Sequence, residues 1–256
     1  MTGRPPASVK SSERTLQVLQ TLGECRTPIT VAELHRLTGY PRSSLHQLVH
    51  TMINSGWLDQ TEDGKVGIGA RALLVGTAYL DADPLLPHAM RTLEELRSQT
   101  GYTTHVARQS GASVIYLASR EAVDAHRAVS RIGRELPVHA TALGKALLAE
   151  LTDAEVRAVL HRKRVALTEH TVTDAAELIA QLAEVRSRGY SVEREENTPG
   201  LSCVAAPIGY RIPATEAISV SMPARRAGAR EVTRVARLLV GQVAELTQTL
   251  RGHGIR

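Results

Sequence analysis

The stretch TGYPRSSLHQLVHTM, residues 38–52, combines polar and basic side chains with helical spacing. Its apolar residues recur three and four positions apart from Leu45 to Met52, which predicts an amphipathic helix with one buried side. The other side carries a guanidinium, hydroxyls, imidazoles and an amide, which are groups that hydrogen-bond to base edges and phosphates. These candidate contacts to duplex DNA are Arg42, Ser43, Ser44, His46, Gln47 and His50.

Two other interpretations of this polar side compete with DNA contact. His46 and His50 stand four residues apart and can chelate zinc, but Gln47 occupies the position of a metalloprotease glutamate, and no third ligand is evident. We therefore predict no metal site. The other alternative, which stays open, is a protein-packing module whose polar helix side is only solvated.

Three segments in the second half of the chain are more than scaffold and are candidates for binding a small polar molecule. One of them is EENTPGLSCVAAP, residues 195–207, in which a loop precedes a strand that carries Cys203. In LPVHATALGKA, residues 136–146, small residues open a helix whose free amides can bind a carboxylate. In ISVSM, residues 218–222, Ser219 and Ser221 alternate onto one face of a strand, where buried hydroxyls need hydrogen-bond partners. A ligand can supply these partners, and so can backbone carbonyls or water.

Cys203 offers nucleophilic chemistry if an imidazole lies beside it. His105 or His139 can form such a thiol–imidazole pair, with Glu193 orienting the ring. However, the thiol stands in the apolar segment LSCVAA, which is typical of a buried inert cysteine, and GLSCV lacks the second glycine of a nucleophile elbow. We therefore predict that the protein is not an enzyme, and keep a cysteine-dependent hydrolase as an alternative.

Three helices must position the polar side of residues 38–52. They are predicted from Ser12 to Gly23, from Thr30 to Gly39 and from Pro41 to Gly56. The second begins with a Thr-x-x-Glu capping box, and the third begins with a proline, whose missing amide proton is not needed in a first helical turn. The predicted core residues of the first two helices are Leu16, Leu19, Leu22, Leu34 and Leu37.

A glycine turn between two short strands follows the third helix. The strands are predicted at 57–60 and 65–68, and Lys65 is a further candidate DNA contact. Three helices and a hairpin form a winged helix-turn-helix, whose third helix enters the major groove. Residues 1–80 carry eight Arg or Lys against six Asp or Glu, so one copy neutralises few phosphates. We therefore predict a homodimer on a pseudo-palindromic operator.

The segment Asp-Ala-Asp-Pro at 81–84 predicts a domain boundary. After it, helices and hairpin-like strands alternate, which indicates an α+β domain around an antiparallel sheet. The predicted divisions are a flexible arm at 1–11, the winged helix-turn-helix at 12–70, a linker helix and boundary at 71–84, and an effector-binding domain at 85–256. In the last division we expect helices at 85–100, 141–149, 153–160, 175–188 and 229–250, and strands at 102–107, 113–119, 190–194, 201–207 and 217–221.

Composition disfavours several classes of protein. No apolar run approaches the roughly 18 residues of a membrane span. The first residues contain no apolar secretory signal, so we expect a cytoplasmic protein. Cys25 and Cys203 match no metal or redox spacing, and no cofactor is predicted. Phe is absent and aromatic residues make up 3%, which disfavours a base-stacking platform for single strands.

The chain after its N-terminal arm resembles the IclR family of bacterial transcription regulators. The resemblance rests on TGYPRSSLHQLV, then LPVHATALGKALLA, then GYSVEREENTPGLSCVAAPI followed by AISVSMP. It implies a GAF-like effector domain, dimers paired through the DNA-binding half, often tetramers (dimers of dimers), and small organic acids or aromatic catabolites as effectors. It further implies an effector pocket formed by Thr141, Ala142, Leu143, Glu193, Cys203, Ser219 and Ser221.

Three positions of this pocket depart from the family pattern. Ala142 follows Thr141 where a Ser-Gly pair is frequent, Leu143 is bulky, and Glu193 is one methylene longer than Asp. We expect a smaller or reshaped cavity that takes an effector with one carboxylate and a hydroxyl or amine, because Glu193 repels a second carboxylate. The apolar body of the effector is expected to contact Leu143, Val204 and Leu117.

These observations together predict a ligand-responsive, sequence-specific DNA-binding regulator. A repressor is favoured over an activator, and a catabolic operon is the expected target. The remaining alternative is a ligand-binding interaction module without DNA binding.

Overall fold

The computed structural model describes residues 9–25, 27–122, 132–160 and 164–256. Most of the predicted arm at 1–11 lies outside these residues. The chain forms two compact units, Met1–Ala82 and Asp83–Arg256. None of the described helices is both long and apolar enough to cross a lipid bilayer.

The first unit is a winged helix-turn-helix followed by a further helix. Its strands β1 and β2 pair antiparallel, and Ile29 makes an isolated bridge to Val66 at the edge of this hairpin. The predicted module is therefore confirmed. Its elements are α1 (Lys10–Glu24), α2 (Val31–Thr38), α3 (Arg42–Asn54), β1 (Leu58–Gln60), β2 (Val66–Ile68) and α4 (Ala70–Asp81).

The capping box at the start of α2 is present. The Thr30 hydroxyl accepts the Glu33 amide at 3.2 Å, and the Glu33 carboxylate accepts the Thr30 amide at 2.8 Å. Gly39 adopts the left-handed conformation, with φ of 70°, and ends the helix. Pro41 is the N-cap of α3 rather than its first helical residue, so the prediction for its place was one position early.

The core of the first unit differs from the prediction at two leucines. Leu16 and Leu37 are 60% and 62% exposed, whereas Val18 and Leu22 of α1 are buried. Leu16 precedes Val18 by two residues, which places it about 200° away around the helix. The core residues shared by the helices and the hairpin are Val18, Leu22, Leu34, Leu45, Val49, Met52, Leu58 and Val66.

The second unit is built on one antiparallel sheet with the strand order β5-β4-β3-β8-β7-β6. The helices α6 and α8 pack together on one face, and α5 and α9 pack together on the other. The predicted α+β class is confirmed. The strands are β3 (Thr103–Ser110), β4 (Ser113–Arg120), β5 (Glu135–Pro137), β6 (Ser191–Arg194), β7 (Leu201–Pro207) and β8 (Glu216–Pro223). The helices are α5 (Leu86–Thr100), α6 (Ala142–Leu148), α7 (Asp153–Val159), α8 (Ala175–Arg188) and α9 (Ala229–Gly252).

Candidate functional site

The polar side of α3 is open to solvent. Leu45, Val49 and Met52 turn inward, and the predicted contacts on the other side are exposed. Ser44 differs, because it is half-buried and its hydroxyl donates to the Pro41 carbonyl at 3.0 Å. The side chains left for an external partner are Arg42, Ser43, His46, Gln47 and His50.

The two histidines of α3 have separate surroundings. The Nδ1 atom of His50 lies 3.1 Å from the Asn54 amide nitrogen, on the next turn of the helix. Among the described residues no three His, Cys, Asp or Glu side chains are grouped to hold a metal ion. Both His46 and His50 are exposed on this side of the helix.

The wing presents a lysine that is already paired. The Nζ atom of Lys65 lies 2.6 Å from an Asp63 carboxylate oxygen, and this hydrogen bond raises the pKa of Lys65. The ammonium therefore stays charged, but Asp63 offsets much of its attraction for a phosphate.

The second unit contains a small polar cavity between α6 and the sheet. Its volume is about 10 Å³, room for roughly one water molecule. Six of the seven predicted effector residues line it, namely Thr141, Ala142, Leu143, Glu193, Cys203 and Ser219. Its other wall residues are Asn197, Thr198 and Leu201, which lie in the segment 195–207 that the sequence analysis names, and Tyr116, which the sequence analysis did not name as a candidate.

Strand register explains which side chains face the cavity. Cys203 pairs with Ser221 and Ala205 pairs with Ser219 between β7 and β8, so these odd-numbered residues share one face. Ser219 lines the cavity, whereas Ser221 lies beyond it, with its Oγ 3.1 Å from the Cys203 sulfur. Val204 is buried but is not in the cavity wall, because it follows Cys203 and points to the opposite face.

Two further expectations about the cavity wall need correction. Leu117 is buried without lining the cavity, and its neighbour Tyr116 lines it instead. The wall therefore contains an aromatic ring, where the sequence analysis expected aliphatic side chains. The register shift between Val106 and Ala107, opposite this part of β4, is a feature that strand periodicity cannot reveal.

Glu193 closes the cavity from β6 and holds the adjacent loop. One of its carboxylate oxygens accepts the amides of Glu196 and Asn197, at 2.5 and 3.0 Å. Burial raises the pKa of Glu193, while the amide of Asn197 and the thiol of Cys203 donate to the carboxylate and oppose this rise. The carboxylate is thus a structural acceptor as well as a wall of the cavity.

Residues 195–200, the cavity loop, are fixed at both ends. Glu195 has a left-handed backbone with φ of 56°, and its carboxylate accepts the Gly200 amide at 2.6 Å. The Thr168 and Thr171 hydroxyls donate to the carbonyls of Glu195 and Glu196, at 2.7 and 2.6 Å. The loop is therefore held in place by hydrogen bonds within itself and from the neighbouring threonines.

A buried ion pair joins the cavity loop to α6. Lys145 is 1% exposed, and its ammonium donates to both Glu196 carboxylate oxygens at 2.5 and 2.6 Å. The Gln181 side-chain oxygen accepts a third hydrogen bond at 2.8 Å. All three protons of the ammonium are thereby used, which is the condition under which a lysine is tolerated inside a protein.

The start of α6 is also fixed by its neighbours. The Thr141 hydroxyl accepts the Gly144 amide at 3.0 Å, and the Ser191 hydroxyl donates to the Ala142 carbonyl at 2.6 Å. Gly144 lies against Val138, where a Cβ atom would come within 2.2 Å of the carbonyl oxygen. The helix has seven residues, so for binding an anion direct hydrogen bonds from the cavity wall matter more than the helix dipole.

The residues of the hydrolase hypothesis are engaged elsewhere. His105 Nδ1 lies 2.6 Å from the Ser119 hydroxyl, and His139 Nε2 lies 3.1 Å from the Val165 carbonyl. Burial lowers the pKa of His139. Cys203 contacts Ser221 and the Glu193 carboxylate. These contacts stabilise the interior of the domain and give the thiol no evident task in hydrolysis.

Comparison with known proteins identifies both units. The family description "Bacterial transcriptional regulator IclR C-terminal" matches residues 77–247, and "IclR helix-turn-helix domain" matches residues 11–62. The transcriptional repressor IclR of Escherichia coli K12 is 34% identical over 264 residues, covering 98% of this chain and 96% of that protein. The regulator XynR of the same organism is 37% identical over 202 residues, covering 78% of this chain and 80% of that protein.

A solved structure with a bound ligand has the same fold. It is an IclR homolog from Microbacterium hydrocarbonoxydans complexed with 4-hydroxybenzoate. It superimposes with a TM-score of 0.78 at 26% identity, covering 94% of this chain and 99% of that chain.

Proposed function

This chain belongs to the IclR family of bacterial transcriptional regulators, and from that premise we propose that it represses a catabolic operon in response to a small carboxylate. As a member of this family it is a DNA-binding regulator and not an enzyme, so the cysteine-dependent hydrolase is not supported. The observation that carries the proposal is the exposed polar side of α3 in a winged helix-turn-helix. Repression is favoured because a relative matched over 98% of this chain is named as a repressor.

We propose that two copies bind one operator. The first unit carries little excess positive charge, so one copy has weak attraction for phosphates. The helix α4 has no buried residue, and it exposes large apolar side chains that a second copy can cover. These side chains are Leu73, Leu74, Val75 and Tyr79.

The proposed effector is a compact molecule with one carboxylate and a hydroxyl. Ser219 and the amides at Ala142 and Leu143 suit a carboxylate, while the buried acid Glu193 disfavours a second one. The ligand of the Microbacterium homolog has this chemistry, and Tyr116 gives the cavity of this chain a ring for such a ligand to contact. Effector binding changes the DNA affinity of the dimer only to the extent that the effector binds the DNA-bound and the DNA-free arrangements of the dimer with different affinities.

The function is tested by substitutions on α3. An operator is first selected from random duplexes with the full chain. The affinities of Arg42→Ala and Gln47→Ala for this operator are then compared with that of the wild type. Each should lower operator affinity by about 1–3 kcal/mol, because a bidentate contact to a base edge is lost. The thermal midpoint should not change, because both side chains are exposed.

Gln20→Ala is the matched control, since Gln20 is an exposed glutamine on α1. It should bind the operator as the wild type does. Unchanged affinity of both α3 variants would remove this helix from the interface and contradict the proposal.

A further inference from the structure

The strand β6 forms one edge of the sheet in the second unit. Among the described strands it has a neighbour on one side only, which is β7. A groove of about 380 Å³, here called the edge groove, lies along the other side, and it is far larger than the cavity of about 10 Å³ beside α6. Its lining comes from α8, β6 and the start of α9 and includes Val185, Arg188, Val192, Arg194, Ala229 and Val232.

The backbone of β6 has hydrogen-bonding groups that point into the edge groove. The Glu195 amide donates to the Leu201 carbonyl at 2.8 Å, so these two residues form a hydrogen-bonded pair. Such pairs alternate along an antiparallel ladder, so Glu193 also bonds to β7, whereas the amides and carbonyls of Val192 and Arg194 point outward. Within the part of the chain that the structure describes, these outward groups have no hydrogen-bond partner.

Two exposed arginines frame this open edge. The Arg188 guanidinium donates to the Tyr190 carbonyl at 2.7 Å, and its central carbon lies 4.9 Å from the centre of the Tyr190 ring. The Arg194 guanidinium donates to the Ala227 carbonyl at 3.1 Å, just before α9. Because a guanidinium has further N–H groups, both side chains keep donors for an acidic partner.

The acidic residues of the edge groove do not cancel this positive charge. Glu196 is already paired with the buried Lys145, so Glu184 is the exposed acid among the described residues that line the groove. An occupant that carries carboxylates therefore complements the groove better than a basic or neutral one does.

Neither another part of this chain nor a second copy has the matching charge. The residues outside the described ranges carry six Arg or Lys against one Asp, so they are predominantly basic. Two β6 strands paired with each other would bring their own arginines together, and like charges across a strand pair are destabilising. The occupant that fits is an acidic segment of a different protein.

We propose that the edge groove binds an acidic, extended segment of a partner protein, which pairs with β6 as an additional strand. Backbone pairing with Val192 and Arg194 supplies affinity, and alternate side chains of the segment supply selectivity. Carboxylates of the segment contact Arg188 and Arg194, while small apolar side chains contact Val185 and Val232. Charged side chains on an edge strand discourage pairing with identical chains, which fits a partner of opposite charge.

The test uses the full chain and a fluorescently labelled peptide of alternating Glu and Val, about seven residues long, with binding followed by fluorescence anisotropy. The wild type should bind this peptide. A peptide of alternating Lys and Val should bind at least about tenfold more weakly, because its charge is reversed. The Glu and Val peptide with N-methylated amides should also bind at least about tenfold more weakly, because it keeps its side chains but loses its backbone donors.

Val192→Pro tests the backbone pairing from the side of the protein. The Val192 amide points away from β7, and proline is tolerated at such positions of an edge strand, so the thermal midpoint should stay close to that of the wild type. Peptide affinity should fall roughly tenfold, because one donor is lost and the proline ring hinders the approach of a strand.

Arg194→Gln tests the contribution of charge. It should lower peptide affinity about three- to fivefold, as expected for an exposed ion pair. Arg256→Gln is the matched control, because Arg256 is an exposed arginine beyond the far end of α9. It should bind the peptide as the wild type does.

Equal binding of the parent and N-methylated peptides would overturn the inference, since charge alone would then account for the contact. Absence of binding by the wild type, or wild-type affinity in Val192→Pro, would overturn it as well. If Val192→Pro does not fold, wild-type affinity in Arg194→Gln has the same meaning. A lower mass of Val192→Pro than of the wild type in sedimentation equilibrium would show that a second copy covers β6, and would equally contradict an acidic partner.

Discussion

The polar side of α3 and the cavity between α6 and the sheet present their side chains in opposite ways. The α3 side chains come from one helix, are exposed, and depend on the core only through the helix that carries them. The cavity residues come from α6, from four strands of the sheet and from the cavity loop. Several of them are already hydrogen-bonded within the second unit. The exposed side chains of α3 therefore contribute little to the stability of the first unit, whereas the cavity side chains also help to stabilise the second unit.

This difference has a consequence for substitutions. A changed side chain on α3 alters only what the helix can contact, because surface substitutions seldom affect folding. A changed side chain at the cavity also alters the hydrogen bonds that hold the second unit together. The strongest way to break the comparison is to find that a hydrogen-bonded anchor of the cavity loop can be removed without a cost in stability.

The largest effect is expected for Lys145→Met. This change leaves the buried Glu196 carboxylate without its cation, and removal of one partner from a buried pair typically costs about 3–5 kcal/mol. Urea unfolding followed by far-ultraviolet circular dichroism measures the loss. Lys145→Met combined with Glu196→Gln should recover much of it, because the uncompensated charge is then absent.

The matched control for this prediction is Arg91→Met, which breaks an exposed pair with Glu95 on α5. Its unfolding curve should match that of the wild type, since exposed pairs contribute little. A Lys145→Met protein as stable as Arg91→Met would contradict our account of the cavity loop.

A smaller effect is expected for Gly144→Ala. The new methyl group meets the backbone of Val138, which cannot yield as a flexible side chain would, and overpacking of this kind costs about 1–3 kcal/mol. Gly241→Ala on α9 is the control, because no atom lies within 4 Å of its new Cβ. That variant should gain up to about 1 kcal/mol from helix propensity. Equal thermal midpoints for the two variants would show that α6 is not tightly held.

The sequence predicts the DNA-binding region well because its signals are local. The capping box, Gly39 and the apolar spacing of α3 each act within a few residues, and all are found in the structure. The failures there, Leu16 and Leu37, come from choosing the wrong helical phase among several leucines. Such errors assign the wrong burial to single residues and do not affect the predicted fold.

The cavity was predictable in its parts but not in its assembly. Residue types and spacing single out the segments 136–146, 195–207 and 218–222, and the resemblance named six wall residues, but neither shows that these segments meet or that Tyr116 lies beside them. Those neighbours depend on the sheet order, which brings β8 between β3 and β7 although it comes last along the chain. Lys145 is the clearest omission, since a lysine on a short helix reads as exposed until its partner Glu196 is known.

The domain limits and effector contacts proposed from the sequence remain predictions. The two compact units divide at Ala82 and Asp83, within the predicted boundary segment 81–84.

The difference in stability between Glu193→Gln and the wild type should depend on pH, with a definite sign. A raised pKa means that the folded protein binds this proton more tightly than the unfolded chain does, so ionisation of Glu193 costs stability as the pH rises. This cost is absent below the ordinary value of 4.5 and complete above the raised pKa. Glutamine keeps the oxygen that accepts the loop amides. The variant should therefore be more stable than the wild type at neutral pH, and the difference should vanish towards pH 4.5.

Glu193→Gln also tests which ligands the cavity binds. In a thermal-shift screen of hydroxy acids and dicarboxylates, the wild type should be stabilised more by hydroxy acids, because the Glu193 charge repels a second carboxylate. Glu193→Gln should lose that preference. Ser219→Ala should weaken binding by about 0.5–1.5 kcal/mol, the value of one hydrogen bond. Ser221→Ala should bind as the wild type does, since Ser221 lies beyond the cavity wall. If Ser221→Ala weakens binding as much as Ser219→Ala, the ligand reaches past Cys203, and the cavity must open further along β8 than its present wall indicates.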